Sequence, residues 1–173
     1  MEIERKYLIT SAQLKQFVPD TNEFVLETRY YLFCENDNEI RFTQRDDNNF
    51  TLDRMELLQE ETDEYFVRKK ERIVISEIEF KELVRLVGDQ VPVQRLHFKY
   101  NDQIELKIYQ GRHEGLIRVE VEFPNVAEAN DYKPDFEYIA EITNTPLGRD
   151  VLLAELSSNQ ARIEVQKHLK PIS

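Results

Sequence analysis

Apolar and charged residues alternate with a period of two in segment after segment of this chain, the pattern of β-strands with one apolar and one polar face. In residues 2–9, Glu2, Glu4 and Lys6 fall on one side and Ile3, Tyr7 and Ile9 on the other, with Arg5 among them. Residues 39–45 set Arg41, Thr43 and Arg45 against Ile40 and Phe42. Residues 64–75 set Arg68, Lys70 and Arg72 against Tyr65, Val67, Ile73 and Ile75, with Lys69 and Glu71 interrupting the apolar set, so a bend or bulge is expected there. Residues 94–100, 104–109 and 117–123 repeat the pattern, and further strands are expected at 24–33 and 50–54. Half-exposed strands normally mix Thr, Ser, Asn and Gln into their polar faces, whereas here those faces are mostly charged. Either the sheet is bathed in water, or it closes into a barrel whose charges point inward and pair around a ligand.

Helices are fewer. Ser76 and Glu79 form a capping box, Ile75 and Phe80 stand at staple spacing, and Phe80, Leu83, Val84 and Val87 make one apolar stripe ending before Gly88, which predicts a helix over 77–87. Others are expected near 11–17, 126–131, 134–142 and 149–169, the last broken near Ser157. The class is α+β, dominated by antiparallel strands.

With 173 residues, no low-complexity linker and no repeat, the chain reads as a single domain over 1–173. Its 23 Lys+Arg against 34 Asp+Glu give a formal charge of −11, which repels nucleic-acid backbones and anionic membranes at long range. No nucleic-acid or membrane partner is therefore expected, although a net charge does not forbid an anion pocket inside. Cys34 is the only cysteine, so no intrachain disulfide forms, and a reducing compartment fits. No apolar run approaches the roughly 18 residues of a membrane helix, and the N-terminus lacks a signal-peptide pattern, so a cytoplasmic location is expected.

Glu2-Ile3-Glu4-Arg5-Lys6 is a Glu-x-Glu-x-Lys motif whose three charged side chains share one face of a strand. Two carboxylates about 7 Å apart can give hard oxygen ligands to Mg²⁺ or Mn²⁺, and the lysine can meet a phosphate oxygen. Taken alone, the motif also fits a solvated charged strand. Its setting adds more. Glu-Ile-Glu-Arg-Lys-Tyr-Leu resembles the N-terminal signature of the CYTH superfamily, named for bacterial class IV adenylate cyclases and thiamine triphosphatases. Glu39-Ile40-Arg41-Phe42 is similar to the family's arginine-bearing strand, Arg68 opens the strand before the capped helix, and Arg95 lies on the next basic strand. Ile104 to Gly111 and Val119-Glu120-Val121-Glu122-Phe123 resemble its two late acidic strands, so the likeness spans most of residues 1–123.

The resemblance implies an eight-stranded antiparallel β-barrel, the triphosphate tunnel, with flanking helices. Glu2, Glu4, Glu120 and Glu122 would hold Mg²⁺ or Mn²⁺, with Glu105 a possible helper. Lys6, Arg41, Arg68 and Arg95 would clamp phosphates, with Arg149 a further contact from the C-terminal part. Glu4 and Lys6 would serve catalysis. Implied partners are tripolyphosphate, ATP or thiamine triphosphate. A closed barrel has no free edge, so monomer and homodimer are both allowed. Metal-dependent hydrolysis is the first expectation; ATP cyclisation and binding without turnover are the alternatives.

Several positions depart from the family pattern. Arg41-Phe42-Thr43 stands for Arg-x-Arg, with Arg45 further along the same face, and Asp53 follows Thr51-Leu52 where a lysine is common. Arg68-Lys69-Lys70-Glu71-Arg72 stands for Arg-x-Glu-x-Glu, Glu105-x-Lys107 for Glu-x-Asp, and His97 for a basic residue, while Arg118 adds a cation and Asp150 and Leu147 leave the C-terminal basic cluster incomplete. Such exchanges can keep a buried interior neutral, with Asp53 pairing Lys70 or Arg72, yet they weaken a metal site. His97 reads as a weak phosphate contact or a surface residue; His113 and His168 have no ligand spacing. Cys34, Tyr30, Tyr31 and Phe33 read as packing residues.

Overall fold

A computed structural model describes residues 2–17, 24–35, 38–46, 48–59 and 66–169. The alternating segments form β1 (Glu2–Leu8), β2 (Val25–Glu35), β3 (Asn38–Arg45), β4 (Asn49–Gln59), β5 (Phe66–Ile75), β6 (Val93–Lys99), β7 (Ile104–Tyr109) and β8 (Ile117–Glu122). They lie in the order β5-β4-β3-β2-β6-β7-β8-β1, every pair antiparallel. Pairing of β1 with β5, Glu2 opposite Arg68, closes the sheet into an eight-stranded barrel. A two-residue strand, β9 (Ala140–Glu141), adds to β1 at Tyr7 and Leu8.

The barrel is inverted relative to an ordinary one, because its charged faces point in and its apolar faces out. Ile3 and Tyr7 on β1, Leu106 on β7 and Val119 and Val121 on β8 form one outer core with Phe17, Phe123 and Ala129. Across β2–β4, Phe42, Phe50 and Tyr30 pack under Phe80 of helix α2 (Glu77–Val87 in the structure). The capping box holds as expected: Ser76 Oγ accepts from the Glu79 N–H at 3.2 Å, and the Glu79 carboxylate accepts from the Ser76 N–H at 2.7 Å.

One end of the barrel is stoppered. The remaining helices are α1 (Ser11–Leu14), α3 (Val126–Asp131), α4 (Asp150–Glu155) and α5 (Ser158–Leu169). Of these, α4 and α5 bring Val151, Leu153 and Ala161 against Leu8, Tyr31, Val93 and Tyr109, with Ile142 and Leu147 completing the seal. The break near Ser157 is where α4 gives way to α5.

Three expectations need correction. No helix forms over 134–142; Phe136 and Tyr138, two residues apart, both turn to Tyr7 (ring centroids 5.4 and 5.0 Å), an extended arrangement that a helix cannot make. The first helix stops at Leu14 and a turn carries the chain to Phe17. Cys34 and Phe33 are exposed, not packed, because a register shift between Tyr31 and Phe33 turns the end of β2 outward; Tyr31 itself is buried. Tyr65 lies outside the described residues. Among those described, no helix is long and apolar enough to cross a membrane.

Gly148 sits where the stopper meets the barrel, and a Cβ there would lie 2.0 Å from the Ile142 carbonyl oxygen and 2.6 Å from that of Thr143. Both obstacles are backbone. Gly148→Ala is therefore expected to destabilise the fold by about 1–3 kcal/mol or more, measured by urea unfolding; unchanged stability would mean the stopper is loosely seated.

Candidate functional site

The inward faces enclose a cavity of about 160 Å³ lined by charged side chains. Ten Lys and Arg line it against seven Asp and Glu, together with His97. Glu27 and Asp53, fully buried behind that lining, bring the acids to nine. The lumen is thus nearly neutral, and the net charge of −11 resides elsewhere. Cross-strand register explains much of the pairing: Lys6 stands opposite Glu120, Glu27 between Arg45 and Arg95, and Asp53 between Arg41 and Arg72.

At the stoppered end, Asp150, the first residue of α4, points into three guanidinium groups. Arg29 donates to its carboxylate at 2.7 Å and Arg118 at 2.9 Å, Arg95 donates closely, and the Tyr109 hydroxyl donates at 2.5 Å. Burial alone would raise the Asp150 pKa, but Arg95, Arg118 and Arg29 outweigh it and hold the group well below the usual carboxylate range. The backbone of the stopper also accepts: Lys6 Nζ donates to the Gly148 carbonyl at 2.9 Å and Arg118 to that of Leu147 at 3.0 Å.

Farther along the lumen, Glu4 accepts from Arg68 and lies 2.7 Å from Lys6, and Glu120 accepts from Arg118. Asp53 takes a bidentate grip from Arg72 at 2.6 and 2.8 Å, as the charge exchange in the sequence requires. His97, expected near phosphate or the surface, sits between Glu27 and Glu105 at 3.3 and 3.1 Å. Burial lowers its pKa, yet hydrogen bonds to Glu105 and Glu27 bring the net shift upward. Glu122 differs from the other acids. Burial and the neighbouring Glu105, Glu4 and Glu2 raise its pKa, and among the described residues it makes no ion pair.

Of the residues proposed from the sequence, Glu2, Glu4, Lys6, Arg41, Arg68, Arg95, Glu120 and Glu122 all line this one cavity. Arg149 does not; it caps the start of α4 beside Tyr31 and Cys34. Sequence reasoning passed over Arg29 and undervalued Asp150. Arg29 alternates with Glu27 and Tyr31 on β2 and was legible by period, whereas Asp150 belongs to a helix start that no strand pattern marks.

The carboxylates do not fit a divalent-metal site in this arrangement. Arg68 and Lys6 engage Glu4, Arg118 engages Glu120, and Lys70 and Arg68 approach Glu2 at 3.3 and 3.7 Å. A metal needs those same lone pairs. Among the described residues, no group of three or more His, Cys, Asp or Glu is placed to hold a metal ion.

No protein-family profile and no curated protein sequence matches the chain. Solved structures do. The inorganic triphosphatase NE1496 superposes with a TM-score of 0.57 at 24% identity, over 89% of this chain and 94% of that one. HpAC1 from Hippeastrum, a candidate adenylyl cyclase with a dominant triphosphatase activity, gives 0.53 at 12% identity, over 75% and 83%. At such identities the shared property is the fold, and it is the closed barrel that the sequence resemblance implied.

The depressed carboxylates set the acid stability. Asp53 is held at about 2 from an ordinary 3.8, and Glu105 at about 2 from 4.5: burial would raise both, but the Arg72 hydrogen bonds and Arg41 outweigh it at Asp53, as His97 and Lys107 do at Glu105. Groups lowered on folding stabilise the protein above their unfolded pKa, and that contribution disappears as pH falls through the folded value. For buried Asp53 it is on the order of 2–3 kcal/mol. Circular dichroism should therefore show stability draining away between about pH 4.5 and pH 2; a melting point flat across that interval would contradict the pairing.

Proposed function

We propose that this chain, by fold a divergent CYTH-type triphosphate tunnel, takes the triphosphate moiety of a small molecule into its charged lumen and hydrolyses it. Tripolyphosphate, ATP and thiamine triphosphate are the candidate substrates. The observation that carries this reading is the convergence of ten cationic side chains on one stoppered cavity, in a protein whose net charge is −11. An anion of high charge density can draw such donors away from the carboxylates that hold them, and among the described residues no second cavity gathers a comparable set of cations.

Phosphoryl transfer needs little covalent chemistry from a protein. Positioning and stabilisation of charge on the phosphoryl oxygens lower the barrier, and no Ser or Cys nucleophile is required. In this reading Lys6, Arg41, Arg68 and Arg95 face the phosphoryl oxygens, and each must loosen from its carboxylate partner as the anion enters. A charge-assisted bond to a multiply charged oxygen replaces the one released. Glu4, which Lys6 and Arg68 keep ionised against the effect of burial, becomes free to orient an attacking water as those two cations turn to the anion. The resemblance calls for Mg²⁺ or Mn²⁺, but the paired carboxylates do not offer a site for either, and no step is assigned to a metal.

That same pairing favours a second reading, capture of the triphosphate without turnover. Phosphate release from tripolyphosphate, with and without Mg²⁺ or Mn²⁺, separates the two. Hydrolysis predicts release that falls by about 100-fold or more in Arg41→Gln, the scale of losing one preorganised charge donor. Capture predicts no release but a higher melting temperature, since ligand at about 100 times its Kd adds about 2.7 kcal/mol. No release and no thermal shift would remove both.

A further inference from the structure

Reachability divides the cations of the lumen into two groups. Seven of the ten have side chains no more than 8% exposed; carboxylates or stopper carbonyls engage six of them closely, and Arg41 lies 3.3 Å from Glu39 and 3.6 Å from Asp53. The other three, Arg45, Lys70 and Arg72, are 25%, 28% and 30% exposed. An anion entering from solvent meets these three first.

Each of the three also keeps donors to spare among the described residues. Arg45 commits Nε to Glu27 at 2.7 Å, and among the described residues its Nη groups make no hydrogen bond or ion pair. Lys70 Nζ makes one long contact, 3.3 Å to Glu2, with three N–H groups available. Arg72 commits Nε and Nη2 to Asp53 and retains the rest of its five donors. Lys70 and Arg72 alternate on β5, so they project from one face about 7 Å apart. Arg45 stands two strands away and four residues beyond Arg72 in register, so the two backbones are roughly 16 Å apart, while the long side chains bring the guanidinium groups close enough to repel each other. The spread of the three cations exceeds one phosphate and suits a chain of two or three.

Two of the three stand at positions where the family resemblance calls for carboxylates. A carboxylate there would need a divalent cation between itself and a phosphate; an ammonium or guanidinium meets the phosphate oxygen directly. We propose that Arg45, Lys70 and Arg72 form the capture site of the tunnel and that it takes a polyphosphate chain free of metal, either inorganic or as the triphosphate end of a nucleotide. The inference rests on the anion-binding reading of the lumen and specifies which form of the anion binds and where it first docks.

Calorimetric titration with tripolyphosphate and, separately, ATP tests it, in EDTA and in excess Mg²⁺. Wild type should bind at least one of them in EDTA, and Mg²⁺ should weaken binding by competing for the phosphate oxygens. Binding of both identifies the triphosphate end as the recognised unit; binding of tripolyphosphate alone identifies an inorganic chain. Lys70→Gln and Arg45→Gln should each weaken binding about tenfold, the loss of one charge-assisted hydrogen bond. Arg72→Lys, which leaves a cation for Asp53, should weaken it less, and melting temperatures report whether each variant is folded. Folded variants that bind as wild type does, or wild type that binds only with Mg²⁺, would overturn this inference and leave the tunnel reading standing. Wild type that binds neither ligand under either condition would overturn both.

Discussion

A buried charge must be paired, and the architecture of this protein follows from that rule applied to an inward-facing set of nineteen ionisable Lys, Arg, Asp and Glu side chains. Period-two alternation puts the charges on one face of each strand. Closing the sheet encloses them, and cross-strand register then sets Lys6 against Glu120, Arg41 against Asp53 and Glu27 against Arg45 and Arg95. The apolar faces left outside need covers, which is why helix α2 and the aromatic segment around Phe136 lie on the barrel's exterior.

Asp150 ties the stopper to this interior. It reaches the lumen from a helix outside the sheet and neutralises Arg29, Arg95 and Arg118 together. Removing one member of such a buried network generally costs about 3–5 kcal/mol, because the partners left behind stay charged. The stopper is thereby fixed by electrostatics within and by Leu147, Val151 and Leu153 around it. The partly exposed cations Arg45, Lys70 and Arg72 lie away from the stopper, so the proposed ligand would reach the lumen past them.

The barrel was legible in the sequence because alternation is a local signal and because charged polar faces on so many strands leave few alternatives to enclosure. Glu2, Glu4 and Lys6 could be placed on one face from spacing alone, and compensating charge matched Asp53 to Lys70 or Arg72, of which Arg72 is the partner in the structure. Other details depended on tertiary contacts. Phe136 and Tyr138 carry enough apolar character for a helix stripe, but Tyr7 draws both to one side and holds the chain extended. A bulge in β2 cannot be seen without its partner strand, so Phe33 and Cys34 were assigned to the wrong environment. Asp150 has no periodic context, and its role exists only because three arginines from β2, β6 and β8 converge on it.

The functional reading of the lumen turns on where an anion goes. The sheet could carry the same charges and still meet its ligands on the exterior, among the solvent-facing Arg54 and Lys69 of β4 and β5. A crystal soaked in tungstate, a dense tetrahedral mimic of phosphate, distinguishes the two by anomalous scattering. Peaks inside the barrel beside Arg45, Lys70 and Arg72 are the predicted result. Peaks confined to the outer surface, with the lumen empty of tungsten at saturating concentration, would contradict an anion-accepting interior.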